Sequence, residues 1–140
     1  DRIDNQEYTL HNKIESHLHT NSRSKARNYS NEKKDTLRYE IRKALDYINE
    51  NLSKNITAKR IAEQVGYSPN YFSYLFKKAT GYNVGEYIFE TRMKEAAQLL
   101  KFSNLKVYEV AEQVGFPNYR YFSTVFSKHF GECPSDFRGV

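Results

Sequence analysis

Two short stretches of the sequence carry hydrogen-bonding side chains at helical spacing, with no carboxylate among them. They are Asn70, Ser73, Tyr74 and Lys77 in the first stretch, and Tyr119, Arg120, Ser123, Thr124 and Ser127 in the second. Asparagine can form two hydrogen bonds with adenine, arginine can do so with guanine, and threonine or tyrosine can contact the thymine methyl group. The chemistry that these residue types support is recognition of base edges. An ordinary solvated helix surface is the alternative, although such surfaces usually mix Glu with Lys.

Both stretches lie in copies of one phrase that occurs twice in the chain. AEQVGYSPNYFSYLFKK spans residues 62–78, and AEQVGFPNYRYFSTVFSK, with one additional residue, spans residues 111–128. Solenoid folds need three or more such repeats, and this chain has two. We therefore interpret the sequence as two small units of the same kind.

Start and stop signals predict a pair of short helices in the first unit. Thr57 is a good N-cap for a helix over residues 58–65, and Gly66 ends that helix. Pro69 suits the first turn of a helix that runs to about Ala79. Two short helices joined by a tight turn that contains glycine form a helix-turn-helix.

The second unit repeats these signals, with one of them weakened. Lys106 stands where Thr57 provides the cap of the first unit. We predict helices over residues 107–114 and 118–130, with Gly115 at the turn between them. The additional residue of the second copy precedes its second helix, so we expect that helix to be presented differently from its counterpart.

Hydrophobic periodicity predicts two longer helices, over residues 36–52 and 84–101. The second joins the two units, with Ile88, Ala96, Leu99 and Leu100 directed toward the core. No strand-like alternation occurs. We predict an all-α, homeodomain-like tandem with a first unit over 36–83, a linker helix over 84–101 and a second unit over 102–140. The predicted core of the units comprises Phe72, Leu75, Phe76, Phe122, Val125 and Phe126.

Residues 1–35 differ in composition from the rest of the chain. They are polar, and we predict a tether with a candidate short helix around residues 5–19. The chain begins at Asp1 rather than Met, so we expect it to be part of a longer protein with an N-terminal sensory or receiver domain. The full-length protein is a candidate dimer.

The charge distribution favours an anionic partner. The net charge is +5, and residues 64–85 and 113–131, which contain most of both repeats, have no Asp or Glu. A surface that faces phosphate excludes carboxylates for electrostatic reasons. Basic residues near helix ends, and the helix N-termini themselves, can bind phosphate without reading sequence. The predicted phosphate contacts are Thr57, Lys59, Arg60, Lys77, Lys78, Lys106 and Lys128.

Several motifs together resemble the DNA-binding domain of the AraC/XylS family of bacterial transcription regulators. They are A-x-x-V-G-[FY], F-x-x-x-F-[KS]-K, R-[LM]-x-x-A-x-x-L-L and G-x-x-P-x-x-[FY]-R, and they occur in the family's order over residues 37–138. Tyr74 replaces a common long polar residue, Val84 replaces a common Pro, and Cys133 stands where Ser or Thr is common. We expect Cys133 to be a partly buried packing residue.

The resemblance implies a sequence-specific transcription regulator whose two second helices enter the major groove. The residues implied to contact bases are Asn70, Ser73, Tyr74, Tyr119, Arg120, Ser123 and Thr124. A linker helix of about 18 residues spans about 27 Å, whereas successive major grooves lie about 34 Å apart. Bending of the DNA would absorb the difference. The family tendency further implies an activator that contacts RNA polymerase at a promoter, in the cytoplasm.

Other functions remain as alternatives at this point. Related tandem units are sometimes fused to a DNA-repair alkyl transferase, but Cys133 lies beside Glu132 rather than in a basic environment. His11, His17 and His19 lack a convincing fourth zinc ligand. A protein-interaction module or a non-specific nucleic-acid-binding module fits the same helices. We predict no enzymatic activity, no cofactor, no metal site and no membrane contact.

Overall fold

Seven α-helices make up the regular structure of the computed structural model, which describes the backbone of residues 31–139 and the side chains of residues 36–139. No strand occurs within these residues. The predicted all-α tandem fold is confirmed. The helices are α1 (Asn31–Glu50), α2 (Ala58–Val65), α3 (Pro69–Thr80), α4 (Val84–Phe102), α5 (Val107–Gln113), α6 (Tyr119–Phe130) and α7 (Pro134–Arg138).

The first helix-turn-helix forms where its capping residues predict it. The Thr57 hydroxyl accepts a hydrogen bond from the Arg60 N–H at 3.1 Å, which satisfies one of the free donors at the start of α2. Gly66 ends α2 in the left-handed conformation, at φ 80°, where residues other than glycine are disfavoured. Ser68 caps α3 in the same way as Thr57 caps α2.

Helix α1 begins and ends earlier than its hydrophobic pattern indicates. It spans Asn31–Glu50 rather than residues 36–52. The Asn51 N–H donates to the Ile48 carbonyl and the Lys54 N–H donates to the Asn51 carbonyl, so the chain turns while Leu52 still packs against the core. Periodicity alone does not detect this end. The candidate helix at 5–19 lies outside the described residues.

The second unit is capped differently from the first. Lys106 gives α5 no side-chain cap, and only the Glu109 carboxylate closes that end, by accepting from the Lys106 N–H at 2.9 Å. Asn118 is the N-cap of α6 rather than its first residue, because its side chain accepts from the N–H groups of Arg120 and Tyr121. The observed bounds of α2, α3 and α4 and the end of α6 agree with the prediction to within one residue, and α5 ends one residue early. Helix α7 had no predicted bounds.

Each unit has its own hydrophobic core, and α4 contributes to both. Its first half supplies Val84, Tyr87 and Ile88 to the core of the first unit. Its second half supplies four residues to the core of the second unit: Met93, Ala96, Ala97 and Leu100. Five of the six aromatic and aliphatic residues predicted to be core are buried. Val125 is half-buried at the edge of the second core, which corrects the prediction for that residue.

Cys133 is exposed, which contradicts its prediction as a partly buried residue. It occupies the extended N-cap position of α7. The next residue, Pro134, is buried instead and takes the packing position at the start of this helix.

The unequal caps predict opposite responses to substitution. Thr57→Ala should lower the free energy of unfolding by about 1 kcal/mol, because it removes the acceptor for the Arg60 N–H. Lys106→Thr should raise it by ~0.5 kcal/mol, because it completes a capping box with Glu109. Urea unfolding followed by far-UV circular dichroism measures both changes.

Ser53→Ala provides the control for these variants. Its hydroxyl is exposed and has no partner among the described residues, so the expected change is below ~0.5 kcal/mol. A Thr57→Ala protein as stable as the Ser53→Ala protein would contradict the role of Thr57 as a cap.

Candidate nucleic-acid interface

The outer face of α3 lies opposite the side on which Phe72 and Phe76 are buried. Asn70 is exposed, Tyr74 is 58% exposed, and Ser73 is half-buried. The Asn70 side chain has no hydrogen-bond partner in the described part of the chain. Its amide therefore retains both a donor and an acceptor, which bidentate contact with adenine requires.

Two neighbouring lysines near the end of α3 make different contacts. The Lys77 Nζ donates to the Gly81 carbonyl at 3.1 Å and lies 3.9 Å from the Glu86 carboxylate. The Lys78 Nζ lies 3.5 Å from the Tyr74 hydroxyl and 5.6 Å from the centre of its ring. The charge of Lys77 is therefore partly compensated. The ammonium group of Lys78 instead lies beside Tyr74, which is predicted to contact bases.

The outer face of α6 is the counterpart of the α3 face. Tyr119, Arg120 and Thr124 are exposed, and Ser123 is half-buried. The Thr124 hydroxyl donates to the Arg120 carbonyl at 3.1 Å, so it is left as an acceptor toward solvent. The Arg120 guanidinium has no partner among residues 36–139, and its planar fork remains available for bidentate contact.

Some of the residues predicted to bind phosphate already contact other parts of the protein, and others do not. The Thr57 hydroxyl caps α2, and the Arg60 Nη1 donates to the Asn55 carbonyl at 3.0 Å. The Lys106 Nζ lies 6.0 Å from the centre of the Tyr108 ring. In contrast, Lys59 and Lys128 are exposed, and their ammonium groups have no partner within the described chain.

Carboxylates are absent from both outer faces and occur at their margins, beside basic groups. Helices α3 and α6 contain no Asp or Glu. Glu86 lies near Lys77, and the Glu90 carboxylate lies 3.6 Å from the His129 Nε2. The outer faces of α3 and α6 are therefore free of fixed negative charge, as an anion-binding surface requires.

Two exposed tyrosines on these faces were not among the predicted site residues. Tyr71 is 52% exposed and Tyr121 is 60% exposed. Tyr71 precedes Tyr74 by three residues and Tyr121 precedes Thr124 by three residues, so each shares a helix face with a predicted contact. Helical spacing applied to every residue of the two repeats would have identified them.

The additional residue of the second repeat lengthens its turn. Residues 66–68 separate α2 from α3, whereas residues 114–118 separate α5 from α6. The Tyr67 N–H donates to the Ala62 carbonyl and the Phe116 N–H donates to the Ala111 carbonyl. This equivalence identifies Pro117 as the inserted residue, directly before the N-cap of α6.

A cleft of about 490 Å³ and a second cleft of about 790 Å³ lie between the two units. The larger one is lined by Lys54, Tyr108, Pro117 and Tyr119, with Arg92 from α4. Burial lowers the pKa of the Arg92 guanidinium, because the charged form loses hydration. Tyr119 therefore borders this cleft as well as the outer face of α6.

Neither a metal site nor a membrane span is found in the described part of the chain. The His, Cys, Asp and Glu residues there form no group able to hold a metal ion. His11, His17 and His19 lie outside the described residues. No helix between residues 31 and 139 is both long and apolar enough to span a bilayer.

Comparison with known proteins gives matches along most of the two units. A helix-turn-helix domain family matches residues 61–139. The multiple antibiotic resistance protein MarA of Salmonella typhimurium is 35% identical over 98 residues, covering 70% of this chain and 77% of MarA. The lactose operon transcription activator of Staphylococcus xylosus is 35% identical over 104 residues, which are 74% of this chain but 37% of that activator.

A solved structure shares both sequence and fold with this chain. The C-terminal domain of AraT, a response regulator from Geobacillus stearothermophilus, has a TM-score of 0.67 and 35% identity, covering 71% of this chain and 83% of that domain. The domain match, the relatives and the tandem fold agree. This chain belongs to the AraC/XylS family of DNA-binding transcription regulators.

Proposed function

We propose that the chain recognises one asymmetric promoter site by placing α3 and α6 in successive major grooves. The observation that carries this proposal is the pair of equivalent, acid-free outer faces, each with exposed side chains able to contact base edges. From α3 the contacts are Asn70, Ser73 and Tyr74. From α6 they are Tyr119, Arg120, Ser123 and Thr124.

The length of the connecting helix supports this arrangement. Helix α4 has 19 residues, which correspond to about 29 Å. Successive major grooves on one face of DNA are about 34 Å apart. Bending the DNA toward the protein would close the difference, at a cost on the order of a few kcal/mol.

The phosphates that flank the two grooves would be held by the residues predicted for that role. They are Thr57, Lys59, Arg60, Lys77, Lys78, Lys106 and Lys128.

The role of the whole protein is a second part of the proposal. We infer that it activates transcription by positioning RNA polymerase at the promoter, in the cytoplasm where bacterial DNA lies, and that it has no enzymatic activity. The name of the Staphylococcus xylosus relative supports activation. AraT is a response regulator whose C-terminal domain matches this chain, which supports an N-terminal receiver or sensory domain joined through residues 1–35. A dimeric full-length protein remains part of the proposal.

Selection of duplexes from a random library, followed by titration with salt, tests the proposed recognition. We expect one enriched sequence with two half-sites of different sequence, and affinity that falls steeply as salt rises. Binding without any enriched sequence would favour a non-specific nucleic-acid-binding module. The absence of duplex binding would favour a protein-interaction module.

Arg120→Ala should relax the base preference at one position of the selected site. If the guanidinium binds guanine, the loss is about 1–3 kcal/mol for the selected site and little for other duplexes. Fluorescence anisotropy with a panel of single-base variants measures this change. Arg60→Ala is the matched control, because a phosphate contact lowers affinity without altering preference. An unchanged base preference in Arg120→Ala would contradict the role of the α6 face.

Lys128→Ala should weaken binding to selected and random duplexes alike. Its ammonium is exposed and has no partner in the described chain, so its loss should make the slope of log affinity against log salt shallower by about 0.9. Lys77→Ala should have a smaller effect, because Gly81 and Glu86 already contact that ammonium. Equal effects of the two substitutions would contradict this ranking.

A further inference from the structure

Arg92 joins parts of both units at the middle of α4. Its Nη2 donates to the Leu52 carbonyl at 3.2 Å and to the Lys54 carbonyl at 3.0 Å, both in the loop that follows α1. Its guanidinium carbon also lies 5.9 Å from the centre of the Phe116 ring, in the turn of the second unit. One side chain therefore contacts the α1–α2 loop and the α5–α6 turn at once.

Gly115 allows these segments to meet. A Cβ atom added at Gly115 would lie 2.2 Å from the Leu52 carbonyl oxygen and 2.8 Å from both Nε and Nη2 of Arg92. Both distances are well below van der Waals contact. Gly66, at the equivalent turn of the first unit, also has a positive φ, but an added Cβ there would meet nothing within 4 Å. Both glycines have a positive φ that disfavours other residues. Of the two, Gly115 is also in close contact with Leu52 and Arg92.

The position of Arg92 coincides with the change from one core to the other. Ile88 is the last buried residue of α4 in the first core, Phe89 packs at the edge of the second core, and Met93 is the first residue buried within it. A single helix joins the two units along one axis, and long helices curve gently rather than remain straight. Contacts from Arg92 to a loop of one unit and a turn of the other provide a second connection away from that axis.

We propose that Arg92 and Gly115 form an inter-unit clasp that sets the angle between α3 and α6, and so determines which half-site spacing the protein accepts. This proposal rests on the proposed recognition of DNA by both helices. Arg92 acts here as a positioning residue, since its guanidinium is occupied by the Leu52 and Lys54 carbonyls. The clasp would fix the orientation of the two units relative to each other, although each unit has its own core.

The hydrogen bonding of Arg92 fits a role in orientation better than a role in stability. Its Nε is buried and has no hydrogen-bond partner among the described residues, and an unsatisfied buried donor is unfavourable. Arg92 is half-buried, and an unbranched methionine side chain can fill the space of its aliphatic stem. Arg92→Met should therefore leave both units folded while it releases the loop after α1.

The first experiment measures the angle in the free protein. Spin labels at Lys78→Cys and Lys128→Cys, in a Cys133→Ser background, report the distance between equivalent positions of α3 and α6 by electron–electron double resonance. We expect a narrow distance distribution in the parent protein. Arg92→Met and Gly115→Ala should broaden or shift it. Gly66→Ala, which imposes the same backbone strain without the clash, should leave it unchanged.

The second experiment measures the consequence on DNA with the same substitutions and no labels. The selected duplex is remade with one or two base pairs inserted between its half-sites, and each base pair turns the second half-site by roughly 35° about the DNA axis. The wild-type protein should lose affinity about tenfold or more. Arg92→Met should bind all spacings within about threefold of one another, and Gly66→Ala should retain the wild-type preference.

The two experiments separate the clasp from the proposed function. A broadened distance distribution in Arg92→Met, with no selective DNA binding by the wild type, would support the clasp and reject the proposed recognition. A narrow, unshifted distribution in both Arg92→Met and Gly115→Ala would overturn the clasp whatever the DNA result. Melting curves identify any variant that unfolds. If Arg92→Met or Gly115→Ala unfolds, the distance distribution of the other variant tests the clasp.

Discussion

The continuity of α4 is the constraint on which the rest of the structure depends. Each unit has roughly fifty residues, a size at which one hydrophobic core rarely provides more than about 3–5 kcal/mol of stability. Residues from the first half of α4 complete the first core, and residues from its second half complete the second. The same helix therefore closes both cores and fixes the distance between them. A break in it would expose apolar surface in both units at once.

The two units have matching residues in their interiors and different residues on their outer faces. Phe72 and Phe76 on α3 have the same burial as Phe122 and Phe126 on α6, and their ring centroids are 5.6 Å apart in both units. Close packing tolerates few alternatives at such positions. The outer faces have no such restriction, so Asn70 in one unit corresponds to Arg120 in the other. The two units therefore share these core aromatic residues, while their outer surfaces carry different hydrogen-bonding groups.

Sequence signals predicted the helices well because capping residues act locally. Thr57 and Gly66 mark the two ends of α2 through contacts within a few residues. The end of α1 was missed because Leu52 continues the apolar pattern through a turn. Arg92 was not predicted as a positioning residue, since its partners Leu52 and Lys54 lie 40 and 38 residues away. Contacts at such separation depend on the packing of the whole molecule, which no periodicity encodes.

The covalent connection through α4 has a thermodynamic consequence. Two recognition units on separate chains must both be bound, so occupancy of their site rises with up to the second power of protein concentration. When one unit of a single chain has bound, the other is present at an effective concentration that for short connections reaches the millimolar range. A stiff connection concentrates it further, at one orientation. Under the proposed recognition of DNA by both units, occupancy of a site by the two linked units varies in proportion to the abundance of the molecule that carries them.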